Sequence, residues 1–235
     1  MSVSITDALA EMGRAGTRLD QIHACEAGAG NISLALRSAP GLESLFPARE
    51  SYPLPVAVPE LAGWTVLVTA SGQRLRDVAG GATATVAAVE IGSDGLTGTL
   101  RSGLDRDWST PTSEFNSHLA VHADQVSGRP SLERHSVVHA QPPYLVSLSH
   151  VEAYRETAVF NRRILRWEPE TIVQLPDGLA VLEFMVPGSK RLQEASVIAL
   201  RDHRLAVWSK HGLLGRSDAG PENVVDLIEY AETGA

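Results

Sequence analysis

Two histidines lie at the ends of apolar runs, which is where ligand-binding side chains often collect. His139 ends the run in SVVHAQPP, and His211 lies in VWSKHGLLG, each close to a Gly or Pro turn. A strand places residues two apart on the same face, so His139 and Gln141 are predicted to reach into one pocket. A His-x-His pair at this spacing is typical of a zinc or iron site, but Gln141 stands in the second position. The pattern therefore predicts a metal pocket with one altered ligand.

Three short turns combine glycine with polar side chains and could hold a phosphate. They are GAGN at 28–31, TASG at 69–72 and PTSE at 111–114. Hydroxyls and free backbone N–H groups donate hydrogen bonds to an anion, and a helix that begins after PTSE adds a partial positive charge. One such turn alone is more often only a turn, but three together predict an anion site. GAGN precedes a strand and does not open a helix, so a dinucleotide-binding fold is not predicted.

A second pair of histidines is predicted to have a different role. His118 and His122 are four residues apart on a predicted helix and could chelate a metal. Histidines on an amphipathic helix are more often packed or capped, and we favour that interpretation.

The elements that carry these residues follow from the periodicity of apolar residues. A helix is predicted to begin near PTSE, with Thr112 or Ser113 as its cap. Other segments with helical spacing are 5–19, 143–151, 154–167, 189–202 and 221–232. Alternating or β-branched runs predict strands over 31–36 with one buried face, and over 65–71, 83–92, 95–101, 136–141 and 204–211. We further predict a hairpin over 171–184 with its turn at 176–178, and an extended surface connection over 37–61, which holds five prolines.

Runs of strands with helices before and after them favour one α/β domain over residues 1–235. Its central sheet is expected to be mostly antiparallel and covered by helices. The 235 residues are 43% hydrophobic and 20% charged, which is ordinary for a globular protein.

The charge balance and the cysteine content exclude several classes of function. The net charge of −8 argues against a nucleic-acid partner, which requires clustered Lys and Arg. The single Cys25 fits a reducing compartment, and the sequence shows neither a secretory signal pattern nor an apolar run of membrane-spanning length. A cytoplasmic protein without a membrane partner is expected.

Seven stretches resemble the class II aldolase and adducin-head family, most closely its rhamnulose-1-phosphate aldolase branch. They run through nearly the whole chain in the family's order: GNISLALR, TASGQRLRDV, PTSEFNSHLAVH, VVHAQPPYLVSL, ETIVQLPDG, VPGS and VWSKHGLLG. The resemblance implies a single α/β domain with a central antiparallel sheet. It also implies a homotetramer with active sites between subunits.

The resemblance also implies roles for individual residues. The metal-ligand positions are Glu114, His139, Gln141 and His211. The phosphate contacts are Asn31, Ser71 and Ser113, supported by Gly30, Gly72 and Thr112. Glu170 matches a catalytic acid or base that a neighbouring subunit contributes, and His118 and His122 match histidines that are not ligands.

Three departures from the family pattern bear on this interpretation. The family usually has His where Gln141 stands, and the branch has an Asn near Gly28 that helps to hold the phosphate. The chain also ends at EYAETGA, sooner than the pattern, so contacts of a longer C-terminal segment are expected to be missing. Zinc stays the expected metal, but an amide oxygen weakens its hold and makes manganese, magnesium or iron more acceptable.

The implied activity is that of a class II aldolase. It would cleave a ketose 1-phosphate, similar to rhamnulose 1-phosphate, into dihydroxyacetone phosphate and an aldehyde by stabilising an enediolate. Glu114 would act as the base at C3 and Glu170 would serve the aldehyde hydroxyl.

Two other functions stay open at this point. Two histidines and one carboxylate also hold ferrous iron in oxygenases on other folds. Alternatively, the domain could bind no metal and act as an interaction module.

Overall fold

The computed structural model describes residues 3–235. Residues 1 and 2 of the predicted domain 1–235 lie outside the described residues. Its helices are α1 (Ile5–Gln21), α2 (Leu42–Leu45), α3 (Ala82–Thr85), α4 (Phe115–Val126), α5 (Pro143–Ser149), α6 (Thr157–Ile164), α7 (Pro169–Gln174), α8 (Lys190–Asp202) and α9 (Pro221–Thr233). Its strands are β1 (Asn31–Leu36), β2 (Ala48–Pro53), β3 (Thr65–Thr69), β4 (Val86–Ile91), β5 (Thr97–Ser102), β6 (Arg134–Ala140), β7 (Ala180–Leu182), β8 (Leu205–Trp208) and β9 (Gly212–Ser217). Within these described residues, no helix is long and apolar enough to cross a bilayer.

The described strands form one nine-stranded sheet in the order β2-β5-β4-β3-β1-β6-β9-β8-β7. Neighbouring strands are antiparallel except β7 and β8, which are parallel. The predicted α/β domain with a mostly antiparallel central sheet covered by helices is confirmed.

The centre of the sheet is covered on both faces. Ile32 and Leu34 of β1 belong to the same core cluster as Leu9 of α1 and Ile228 of α9. On the opposite face, Ala35 belongs to a cluster with residues of α4. The prediction that this strand has one buried face was therefore wrong: all six residues of β1 are buried, because helices cover both sides of a central strand. Burial of one large aliphatic side chain contributes about 1.5–3 kcal/mol.

The predicted hairpin over 171–184 was also wrong. Residues 169–174 form α7, and β7 pairs in parallel with β8. Pro169 suits the first position of a helix, and the Glu168 side chain caps it by accepting a hydrogen bond from the Glu170 N–H. The β-branched run therefore enters a helix, where the Thr171 hydroxyl donates to the Tyr230 carbonyl of α9 at 2.9 Å. The turn at Gly178, with φ of 69°, is present.

The proline-rich segment 37–61 is more ordered than predicted. It contains α2, β2 and a 3₁₀ turn at Pro59–Leu61. Leu42 and Phe46 are buried in the core and anchor the segment, while β2 is an edge strand that ends at Pro53. The segment that was predicted to be a surface connection therefore supplies an edge strand of the sheet.

Candidate functional site

Glu114, His139 and His211 converge although they are far apart in the chain. Within the described residues they form a group of potential ligand atoms that lie within 4.8 Å of one another. The Nε2 atoms of His139 and His211 each lie 3.6 Å from a Glu114 oxygen, His139 from Oε2 and His211 from Oε1. We call these three residues the ligand triad. They were predicted as metal ligands, and the fold brings them together.

The His139 ring is held so that one nitrogen faces the triad. Its Nδ1 lies 2.8 Å from the Leu213 carbonyl oxygen on the neighbouring strand β9, so Nδ1 donates to that oxygen and Nε2 faces the triad. Gly212 leaves room for the ring, because a Cβ at that position would lie 2.8 Å from His139 Cε1. The Trp208 indole stacks on the ring with centroids 4.8 Å apart.

His211 is placed by the turn that joins β8 to β9. Lys210 adopts φ of 67°, and its N–H donates to the Ser149 hydroxyl at 2.8 Å. The imidazole stacks on Trp208 at 5.3 Å. Burial, together with the neighbouring His139, lowers the pKa of His211 to about 4, although Glu114 opposes the shift. His211 is therefore neutral at physiological pH, as a ligand imidazole must be.

The donor set fits a divalent cation. Glu114 is buried, and its Oε1 has no hydrogen-bond partner within residues 3–235. A buried carboxylate oxygen without a donor is costly, and a cation between it and the imidazole lone pairs would remove that cost. Two imidazole nitrogens and one carboxylate are ligands that zinc and related metals accept.

All ten residues predicted as metal ligands or phosphate contacts line one cavity of about 270 Å³. The six phosphate positions share this cavity with the triad: Gly30, Asn31, Ser71, Gly72, Thr112 and Ser113. Ser71 and Ser113 are exposed at the mouth, whereas Asn31 is buried and its amide donates to Glu114 Oε2 at 2.9 Å. Their role towards phosphate stays a prediction.

Gln141 lies one residue beyond β6 and lines the same cavity. Its backbone N–H donates to the Ala24 carbonyl at 2.7 Å. This fixes the backbone of Gln141 beside the triad, as the two-residue spacing from His139 predicted. Whether its amide oxygen is a fourth ligand stays a prediction.

Glu170 is apart from the other candidates. It is exposed on α7 and lies outside the set of residues that line the cavity. A hydrogen bond with the Glu168 side chain lowers its pKa, so Glu170 favours the ionised form. Its predicted role requires a second subunit and stays a prediction.

The predicted cap of α4 was wrong. The N-cap position is Glu114, and neither Thr112 nor Ser113 caps the helix. The Thr112 hydroxyl instead accepts a hydrogen bond from the Glu114 N–H at 3.4 Å, before the helix begins. Glu114 thus sits at the helix N-terminus, where the helix dipole favours its negative charge.

His118 and His122 are packed, as we favoured, and neither belongs to the ligand triad. Both are fully buried on α4 within a row of hydrogen-bonded side chains. We call this group the buried row; it consists of Asn31, Ser33, His118, His122 and His135. The sequence offered no partner for His135, since a contact between β6 and α4 depends on the tertiary fold.

Sequence reasoning also missed Trp208. Its indole faces both triad imidazoles, and its Nε1–H donates to the Ser196 hydroxyl at 2.9 Å. The residue lies three positions before His211, inside a strand whose composition is typical of the core. That proximity was the only available signal.

A larger groove of about 750 Å³ lies between α1 and α9. Its arginines are paired, Arg14 with Glu222 at 2.8 Å and Arg18 with Glu229 at 2.6 Å. It contains no part of the ligand triad, so the smaller cavity is the better candidate despite its size.

The geometry agrees with comparisons to known proteins. The chain belongs to the family described as Class II Aldolase and Adducin N-terminal domain, whose sequence profile matches residues 10–235. This family is metal-dependent, and membership in it indicates that the protein is a lyase.

Three known proteins show how far this similarity extends. The rhamnulose-1-phosphate aldolase of Escherichia coli O139:H28 is 31% identical over 213 residues, which cover 89% of this chain and 76% of the relative. A sugar-phosphate aldolase from Thermotoga maritima superposes with a TM-score of 0.81 at 25% identity, over 97% of this chain and 92% of the other. L-fuculose-1-phosphate aldolase from Thermus thermophilus shares the fold, with a TM-score of 0.57 at 18% identity over 97% and 91% of the two chains.

Proposed function

We propose that this protein is a metal-dependent aldolase that cleaves a ketose 1-phosphate, similar to rhamnulose 1-phosphate, into dihydroxyacetone phosphate and an aldehyde. The observation that carries the proposal is the convergence of Glu114, His139 and His211 in a cavity that small polar turns also line. The names of the relatives support a phosphorylated sugar as substrate.

The metal would be held by the ligand triad, with Gln141 as the fourth donor. When bound, it supplies a Lewis acid that stabilises the negative charge of the enediolate. Zinc suits two imidazoles and a carboxylate best, and Gln141 makes manganese, magnesium or iron acceptable alternatives.

The turns would bind the phosphate. Ser71 and Ser113 offer hydroxyls at the cavity mouth. Gly30 and Gly72 have φ of 81° and 78°, and a glycine allows the backbone to approach an anion closely in this region. Asn31 and Thr112 complete the set.

Two carboxylates would move protons. In the direction of C–C bond formation, Glu114 takes a proton from C3 of the dihydroxyacetone phosphate unit, and Glu170 of a neighbouring subunit, in its protonated form, gives its proton to the aldehyde oxygen. Cleavage reverses both transfers. A positioned acid or base contributes about 10²–10⁴-fold in rate. Because Glu170 lies outside the cavity of its own chain, we propose that the active sites lie between the subunits of a homotetramer. We also propose that the protein acts in the cytoplasm.

The test is release of dihydroxyacetone phosphate from rhamnulose 1-phosphate by the purified protein, before and after removal of metal by a chelator. We expect metal-dependent cleavage, and we expect Glu114→Gln and Glu170→Gln each to lower the rate by about 10²–10⁴-fold. Glu156→Gln is the matched control for Glu170, since Glu156 is another exposed glutamate at the start of a helix and its side chain makes no cap hydrogen bond.

The outcomes separate the alternatives. Metal binding without cleavage of any ketose 1-phosphate, but with oxygen consumption when ferrous iron is loaded, would favour an oxygenase. Absence of metal binding would favour an interaction module. Full activity of Glu170→Gln would remove Glu170 from the proposal and leave the metal site untouched.

A further inference from the structure

The buried row makes a continuous path of hydrogen bonds that starts at Glu114. A carboxylate can only accept, so the Asn31 amide nitrogen faces Glu114 Oε2, at 2.9 Å. This leaves the Asn31 carbonyl oxygen facing Nε2 of His118. The oxygen can only accept as well, and Nε2 of His118 must therefore carry the ring proton.

The proton on Nε2 of His118 determines the direction of the hydrogen bonds of Ser33. Burial lowers the pKa of both His118 and His122 well below the usual value, so each ring is neutral and has one N–H. Since His118 uses its proton at Nε2, its Nδ1 accepts from the Ser33 hydroxyl at 2.6 Å. The Ser33 oxygen in turn accepts from Nε2–H of His122 at 2.7 Å.

The path ends at His135. His122 has its proton on Nε2, so its Nδ1 accepts from Nδ1–H of His135 at 2.7 Å. Burial lowers the pKa of His135 to about 3, and its neutral ring then has an unprotonated Nε2. That Nε2 is buried and has no partner in the part of the chain that the structure describes. The unpaired atom at the end of the path is thus an acceptor, and every imidazole N–H along the path has an acceptor.

We infer that the buried row is a positioning device for Glu114: its hydrogen bonds all run from His135 towards the carboxylate, and they keep the Asn31 amide nitrogen aimed at Oε2. Ser33, His118, His122 and His135 are positioning residues that touch neither metal nor substrate. Their effect is to hold Oε2 by a donor while Oε1 faces His211. The inference rests on the proposed function only for the role it gives Glu114, because the direction of the hydrogen bonds is a property of the metal-free protein.

The direction can be measured without metal or substrate. Long-range ¹H–¹⁵N correlation of the imidazoles in metal-free protein identifies which ring nitrogen carries each proton. We expect His118 and His122 as Nε2–H tautomers and His135 as the Nδ1–H tautomer. A Nδ1–H tautomer at His118 would reverse the path and overturn the inference, whether or not the protein is an aldolase.

The effect on the site is measured with Ser33→Ala, which removes the hydroxyl at nearly constant volume. We expect zinc affinity, measured by chelator competition, to fall by about 3–10-fold, below the roughly 10–100-fold of groups that contact a ligand directly. Ser33→Thr keeps a hydroxyl and is expected to restore most of the affinity. The matched control is Ser136→Ala, which removes another fully buried serine hydroxyl, one that donates only to the Ser217 and Ala219 carbonyls.

These outcomes decide between a positioning role and a structural one. Equal zinc affinity in Ser33→Ala and Ser136→Ala overturns the inference, because packing alone would then explain the row. If Ser33→Ala does not fold, the tautomers of the unmodified protein still decide the question. Failure of the proposed function has a different signature, since the tautomers would stay as expected while no cleavage is found.

Discussion

Two groups of histidines lie side by side near the centre of the sheet, and they differ in what their ring nitrogens contact. In the ligand triad, Nε2 of His139 and Nε2 of His211 face a carboxylate and a cavity. In the buried row, His118 and His122 each have both ring nitrogens in hydrogen bonds with protein atoms. A histidine with a free lone pair beside a carboxylate can bind a cation, whereas one that is satisfied on both sides stabilises the fold.

A fall in pH should lower the free energy of unfolding through the histidines of the buried row, and this is the largest effect that we predict. The pKa values of His118, His122 and His135 are lowered in the folded protein, so the unfolded chain binds more protons below pH 6.5. Their contribution to stability is complete above pH 6.5 and is lost as the pH falls towards the folded values, which is about 3 for His135. Each group adds a slope of about 0.7 kcal/mol per pH unit at pH 6.5, which rises to about 1.4 kcal/mol per pH unit near pH 5.

The measurement is the free energy of unfolding in denaturant between pH 6.5 and 5, with metal removed. In His135→Gln the slope near pH 5 should be smaller by about 1.4 kcal/mol per pH unit, since one group no longer titrates. A stability that does not change over this range in the unmodified protein would contradict the prediction.

Substitutions in the two groups should separate metal binding from stability. His211→Ala removes a triad ligand at a partly exposed turn, and we expect zinc affinity to fall by at least about 100-fold. The free energy of unfolding of the metal-free protein should change by less than about 1 kcal/mol. His122→Ala should do the reverse, with a loss of about 2–4 kcal/mol from the cavity and the unpaired groups, and less than about tenfold in affinity.

Chelator competition and denaturant unfolding give both quantities for each variant. The distinction between the groups fails if His122→Ala weakens zinc binding as strongly as His211→Ala does.

Much of this distinction was accessible from the sequence, but by two different routes. Periodicity was sufficient for α1, α8 and α9 and for the strands at the centre of the sheet. The triad came from the family motifs around PTSE, VVHAQ and SKHG. No local pattern brings residues 114, 139 and 211 together, because their contact depends on how α4, β6 and the β8–β9 turn pack.

The failures also have physical reasons. The run TIV at 171–173 is β-branched, but Pro169 and the Glu168 cap start a helix there and the contact of Thr171 with α9 stabilises it. The strand β9 was not predicted, because Gly212 and Gly215 resemble turn residues. Both glycines are required by close neighbours: a Cβ at 215 would lie 2.5 Å from Val224 Cγ1.

The smallest effect concerns Gln141, the proposed fourth donor to the metal. Gln141→His should raise zinc affinity by about tenfold, because an imidazole nitrogen is a stronger zinc ligand than an amide oxygen. Gln73→His, at another residue that lines the cavity, is the matched control and should leave the affinity unchanged. Equal affinity of Gln141→His and the unmodified protein would place position 141 outside the ligand set.

The most direct test of the central claim is a crystal structure of the protein soaked with zinc, with anomalous diffraction recorded at the zinc edge. The account predicts one strong peak per chain at about 2.0–2.2 Å from Nε2 of His139, Nε2 of His211 and a Glu114 oxygen. A cavity without a peak at saturating zinc, or a peak bound elsewhere on the chain, would contradict it.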